Sequence, residues 1–272
     1  MEQIMGELLF LAFLLALIIG TFSSMVGVGG GSLNLPTLMF LFSLDYKVAV
    51  GTSLIIIVCS SFMSALNYMK QGQIFTRVAL CLAIPGLIAS ATCSYLTQFI
   101  STFYLSLFFG FVTFLLGVQM IYPHLRIVFP IFCGPTFEEE KKTSFGNVVR
   151  AKLSYFHLLF WGLVSGTANG FTGIGGGLIN VPTMVIGNVP MHTAVATSSL
   201  VIFCASTAAS LVHISLGHVA PFPILFVYVT GAMIGAFIGS RTAHLVAEKK
   251  LRLGFGILAT SISISVVLRL FL

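Results

Sequence analysis

The chain has 272 residues, of which 57% are hydrophobic and only 7% charged, with a mean hydropathy of +1.07. A soluble domain carries about 25% charged residues, so this composition cannot cover a water-facing surface and excludes the soluble globular classes. The formal charge of +6 does not point to nucleic acid, because Lys and Arg cluster in loops beside apolar spans, as on the cytoplasmic face of a membrane protein.

In chain order, apolar segments cover 7–26, 33–44, 48–69, 78–99, 103–122, 156–172, 178–190, 192–214, 220–245 and 253–272. Continuous runs of this kind predict an all-α polytopic membrane protein. A transmembrane barrel would instead show alternating strands of about ten residues. A helix needs about 20 residues to cross the hydrocarbon core, so 33–44 and 178–190 read as half-helices beside about eight long spans. The first segment is not a signal peptide: it opens Met-Glu-Gln and has no basic n-region or small-residue cleavage site. Cys59, Cys81, Cys93, Cys133 and Cys204 show no CxxC spacing, so they read as packing residues, with no metal site and no disulfide framework. No cofactor is expected. The stretch 123–152 holds Pro123, Pro130, Pro135 and the run Glu138-Glu-Glu-Lys-Lys142, and reads as a solvated cytoplasmic linker.

An eleven-residue signature occurs twice: Gly27-Val-Gly-Gly-Gly31-Ser-Leu-Asn34-Leu-Pro36-Thr37, then Gly173-Ile-Gly-Gly-Gly177-Leu-Ile-Asn180-Val-Pro182-Thr183. At the same offset Gly20-Thr21 matches Gly166-Thr167, and Val48–Leu54 matches Ala194–Leu200; after one gap, Gly72-Gln-Ile74 matches Gly217-His-Val219. The chain therefore divides into two homologous bundles, 1–122 and 153–272, on either side of the linker. If each glycine-broken segment crosses once, the Lys and Arg residues split eight to five between the two sides. If each is a hairpin that returns, every half has an odd number of passes, the second half is inverted, and the split becomes eleven to two. The positive-inside rule prefers the inverted arrangement.

Glycine triplets break helices, and irregular backbone at membrane depth is tolerated only where protein buries it or it lines a cavity. Matching Gly/Pro-interrupted segments in two halves are the sequence pointer to a transporter's site. Backbone N–H groups of Gly29, Gly30, Gly31, Gly175, Gly176 and Gly177 can form anion-attracting concavities. Pro36 and Pro182 suit a first helical turn, and Asn34 and Asn180 a position near the cap with amide donors to spare. Hydroxyls gather at Thr52, Ser53, Ser60, Ser61 and Ser64, and at Thr197, Ser198, Ser199, Ser206 and Thr207. Among these Thr52, Ser53, Ser198 and Ser199 recur at matching positions and are assigned to a central cavity. No Asp or Glu falls inside a long apolar span. Cation and proton pathways commonly use such carboxylates, so amides, hydroxyls and peptide N–H groups suit a small anion. His213 and His218 flank one helix end and read as interfacial hydrogen-bonding residues. Gly110 and Gly117 lie in an uninterrupted span and serve as packing positions. The chain has no HExxH, no GxSxG and no intramembrane aspartate pair, so no catalytic residues are assigned.

The doubled Gly-x-Gly-Gly-Gly-x-x-Asn-x-Pro-Thr, followed by Ala49–Ser53 and Ala194–Ser199, resembles the TauE/SafE family of sulfite and organosulfonate exporters over essentially the whole chain. The resemblance implies a multi-pass permease of the cytoplasmic membrane that moves sulfite or a sulfoacetate-like anion outward. The expected partners are that small anion and the lipid bilayer, with a homo-oligomer compatible with the sequence. A channel or carrier for another small anion or neutral solute, and a non-transporting scaffold, are the alternatives.

Overall fold

A computed structural model describes residues 2–122, 135–142, 148–187, 189–245 and 247–271. Cys133 and most of the proline-rich part of the linker fall outside them. The first half consists of α1 (Glu2–Val26), α2 (Gly31–Phe42), α3 (Tyr46–Lys70), α4 (Thr76–Leu96) and α5 (Thr102–Ile121). Two strands follow, β1 (Thr136–Lys142) and β2 (Val148–Ser154). The second half consists of α6 (Tyr155–Thr172), α7 (Gly177–Ile186), α8 (Met191–Ser215), α9 (Phe222–Thr242) and α10 (Glu248–Phe271). Six of these helices are long and apolar enough to cross a membrane. Phe10, Leu14, Ile18 and Phe22 on α1, like Leu80, Ile84, Leu87 and Ile88 on α4, face outward. Hydroxyls such as Ser53, Ser90 and Ser198 are fully buried. That polarity is reversed from a soluble protein's and suits a lipid solvent.

The two halves are not separate bundles, as the repeat suggested; they are interlaced. The first helix of each half packs on the fourth helix of the other, α1 on α9 and α6 on α4, while α3 pairs with α8 and α5 with α10. Small residues bring about the exchange. Gly231, Gly235 and Gly239 lie against Phe13, Leu17 and Thr21; Gly162, Gly166 and Gly170 lie against Leu82, Gly86 and Ser90. A methyl group on Gly235 would collide with the Leu17 carbonyl, and one on Gly166 with that of Gly86. Glycines four residues apart let membrane helices approach backbone to backbone.

Residue pairs also fix directions. Residue numbers rise together along α1 and α9, and Thr52 meets Ala220 while Asn67 meets Ser240, so α3 runs parallel to α9 and thus to α1. Along α3 and α8 they run oppositely: Gly51 neighbours His213, the Phe62 and Phe203 rings meet in a tilted pair with centroids 5.3 Å apart, and Phe75 donates its N–H to Thr197. The same holds for α5 and α10, where Gly110 meets Val267 and Gly117 meets Thr260.

The linker run 138–142, expected as solvated loop, is a strand. β1 and β2 are antiparallel, with Glu138 opposite Lys152 and Glu140 opposite Arg150, an alternation of opposite charges that favours pairing. Phe137, Ala151 and Leu153 are buried. The Glu139 carboxylate accepts the N–H groups of Arg77 and Val78 at 3.2 and 3.3 Å, supplying the first turn of α4 with the acceptors and negative charge that a helix N-terminus lacks.

Candidate functional site

The glycine turns join α1 to α2 and α6 to α7. They have the same backbone shape: Gly29 and Gly30 have φ of 87° and 78°, and Gly175 and Gly176 have 92° and 72°. Only glycine takes such values without strain. The turns cross one another at the level where α3 and α8 are about half-way along their length. A Cβ on Gly31 would collide with the Gly173 carbonyl, and one on Gly177 with the Gly27 carbonyl. Here glycine is needed for close approach, and all four carbonyl and glycine partners belong to opposite halves.

Helices α2 and α7 begin at Gly31 and Gly177, directly after left-handed Gly30 and Gly176. Asn34 and Asn180 are therefore not caps: their own N–H groups bond to the carbonyls of Gly30 and Gly176 at 2.9 and 3.0 Å. Pro36 and Pro182 likewise lie inside the helices, past the first turn. Asn34 and Asn180 are at most 2% exposed, and the Oδ1 of each is buried without a hydrogen-bond partner among the described residues. Buried carboxamide oxygens without partners are rare, because desolvation costs about 1–3 kcal/mol per group.

The hydroxyl residues divide by role. Ser53 Oγ donates to Gly173 O at 3.2 Å, and Ser198 Oγ donates to Gly27 O at 2.9 Å. Thr52 Oγ1 accepts from Ala220 N–H at 2.9 Å, and Thr197 Oγ1 from Phe75 N–H at 3.1 Å. Each half thus clamps the other half's glycine turn with a serine and its loop with a threonine. The structural equivalents are Thr52 with Thr197 and Ser53 with Ser198, one residue off the register expected from the sequence. Helices α3 and α8 show the same shift, starting at Tyr46 and Met191; the single gap lies before them.

That shift frees Ser199 for another position. With Ser23, Ser24, Gly29, Ser60, Ser61, Ser64 and Ile202 it lines a cavity of about 10 Å³, room for about one water molecule. The hydroxyls here are held within the fold: Ser23 bonds to Gly20 O, Ser24 to Ser64 and Ala236 O, and Ser199 to Val195 O. No acceptor among the described residues meets the Gly29 N–H, and Gly29 is only partly buried. In the second half Asn169 stands where Ser23 stands in the first. It is fully buried, its Oδ1 accepts the Gly175 N–H at 2.8 Å, and its Nδ2 donates to Ser90 Oγ at 2.9 Å and Ser206 Oγ at 3.2 Å. Asn169, Ser90, Ser23 and Ser24 are polar residues outside the doubled motif. For Asn169 and Ser23 the signal is their place six residues before the central glycine of the turn, Gly175 or Gly29.

His213 and His218 meet through their Nδ1 atoms at 3.2 Å, at the opposite end of α8 from Ser198. Among the described residues no three His, Cys, Asp or Glu side chains converge on a point, and the cavity lining holds no charged group.

The model of the family described as sulfite exporter TauE/SafE matches residues 12–266. The chain is 28% identical over 246 residues to the probable membrane transporter protein YunE of Bacillus subtilis, covering 86% of this chain and 87% of that one. It is 26% identical over 263 residues to the probable membrane transporter protein MJ0441 of Methanocaldococcus jannaschii, covering 90% of each. A probable membrane transporter protein of Xylella fastidiosa is 22% identical over 256 residues, covering 93% and 92%. With nearly its whole length matched, glycine turns included, the chain belongs to the sulfite exporter TauE/SafE family.

Proposed function

We propose that the chain is a secondary transporter, not an enzyme, that exports a small sulfur-containing anion, sulfite or a sulfoacetate-like organosulfonate, across the cytoplasmic membrane. The observation that carries this is the crossing of two congruent glycine turns amid buried hydroxyls, asparagine amides and peptide N–H groups, with no carboxylate in the lining of the cavity. Peptide N–H groups, amide N–H groups and hydroxyl protons favour an anion. A cavity with room for one water is smaller than any sulfur oxyanion, so binding requires α1 and α3 to part. The serines are suited to that change, since each hydroxyl proton now bonded to a carbonyl can rotate toward a ligand.

The halves act as inverted repeats, with eight crossing helices and two half-helices. Antiparallel α3 and α8, and antiparallel α5 and α10, support inversion, as does α1 running parallel to α3 with α2 returning between them. Gln71 donates to the Ser240 carbonyl at 3.2 Å, which brings the ends of α3 and α9 to one side, and Glu139 ties the linker hairpin to the same side. These are the basic loops that the eleven-to-two split assigns to the cytoplasm.

The test is a ligand panel on purified protein. A ligand bound only by the folded state stabilises it by about 2.7 kcal/mol at a hundred times its Kd. Sulfite or sulfoacetate is expected to raise the melting temperature in a saturable way, and chloride and taurine to leave it unchanged. A flat response to every sulfur oxyanion would sink the reading.

A further inference from the structure

The two glycine turns have the same shape but not the same surroundings. In the second half the Gly175 N–H is already satisfied by the Asn169 Oδ1 at 2.8 Å, and the carboxamide is held by Ser90 and Ser206. Gly175 is buried. In the first half the equivalent of Asn169 is Ser23, which makes no hydrogen bond to the Gly29 N–H; its Oγ bonds to Gly20 O within its own helix. Gly29 lines a cavity walled by serine hydroxyls, and the Asn34 Nδ2, a donor, lies with Ser23 Oγ beside Gly30.

We infer that the transporter binds one oxyanion per chain, at the Gly29 turn only, and that Asn169 is a built-in occupant of the second turn. The Asn169 Oδ1 shows what this backbone shape binds: an oxygen acceptor placed on the central glycine N–H. At the first turn an oxygen of the substrate takes that position. Its remaining oxygens face Ser61 and Ser199, and the Asn34 amide supplies a further donor. A charged acceptor gains about twice what a neutral carboxamide oxygen does from the same donor, so the open turn is the one with affinity to offer. Duplication gave two potential sites, and a single side chain closed one of them. This inference rests on the transport reading given above.

The experiment is calorimetric titration of sulfite into wild type, Ser23→Asn and Asn169→Ser, each checked for an intact melting transition. Wild type is expected to bind one sulfite per chain. Ser23→Asn, which installs the second half's occupant in the first, is expected to lose at least about tenfold in affinity, while Asn169→Ser keeps the wild-type Kd at the Gly29 turn. Ser61→Ala and Ser206→Ala form a second pair that removes only a hydroxyl: the first weakens binding about tenfold and the second does not. Two sulfites per wild-type chain, or equal affinity for wild type and folded Ser23→Asn, would overturn the asymmetric site and leave the transport reading standing. Equal effects within the serine pair would do the same. If wild type binds no sulfur oxyanion, both fall.

Discussion

Gly30 and Gly217 share a left-handed backbone, with φ of 78° and 73°, but have different neighbours. A Cβ on Gly217 meets nothing within 4 Å, whereas one on Gly30 lies 3.0 Å from Ser23 Oγ. Gly217→Ala should therefore cost only the left-handed strain, about 1–2 kcal/mol, read as a lower melting temperature with normal sulfite uptake. Gly30→Ala adds a methyl group beside the serine cavity and should depress uptake well beyond its effect on stability; equal uptake in the two folded variants would argue against a glycine-lined site. Gly110 and Gly117 are poor comparators. Methyl groups there would come within 2.5 Å of Val267 and 2.7 Å of Thr260, so alanine at either should loosen α5 from α10. At this scale the doubled motif marked the two glycine turns and the asparagines that follow them. It misplaced what they do, because a cap assignment depends on where the helix starts, and only the φ of Gly30 and Gly176 decides that.

Among the elements, the ten α-helices of the described residues were legible as apolar runs, and α2 and α7 as the short ones, because run length is a property of sequence alone. The strand pair was not. Its charges imitate a solvated loop, and its burial depends on contacts between Leu153 and Gly187 and between Glu139 and the start of α4. The Glu139 interaction predicts a graded response. Glu139→Ala should destabilise the protein by about 1 kcal/mol, and Glu139→Gln, which keeps the acceptor and loses the charge, by less. Identical melting curves for all three proteins would show that the hairpin does not cap α4. The serine register was missed for a related reason: Ala194-Val-Ala-Thr-Ser-Ser199 offers two consecutive serines, and identity cannot say which one equals Ser53. The hydrogen bond from Ser198 to Gly27 O decides it.

Across the whole molecule, the repeat was visible but the interlacing was not. Sequence identity at a fixed offset shows which helices are equivalent, and says nothing about which ones touch. The tandem spacing Gly231-x-x-x-Gly235-x-x-x-Gly239 and Gly162-x-x-x-Gly166-x-x-x-Gly170 was the available signal for the close α1–α9 and α6–α4 contacts. One consequence is that residues 1–122 expressed alone leave the face of α1 that carries Phe13, Leu17 and Thr21 without its partner α9. A second is topological. In a cysteine-free background, single cysteines in 70–77 and in 246–252 should be labelled from the same, cytoplasmic side, with cysteines in 100–102 and 214–219 labelled from the other. Labelling of 70–77 and 246–252 from opposite sides would rule out inverted halves.

On the proposed function, binding, strain and orientation all bear on one event, the passage of a sulfur oxyanion past the crossed turns. Flux of radiolabelled sulfite across proteoliposomes containing the purified chain measures that event itself. A saturable flux above that of protein-free vesicles, inhibited by unlabelled sulfite and abolished by Gly30→Ala, is the result expected; sulfite flux no greater than in protein-free vesicles would contradict the account.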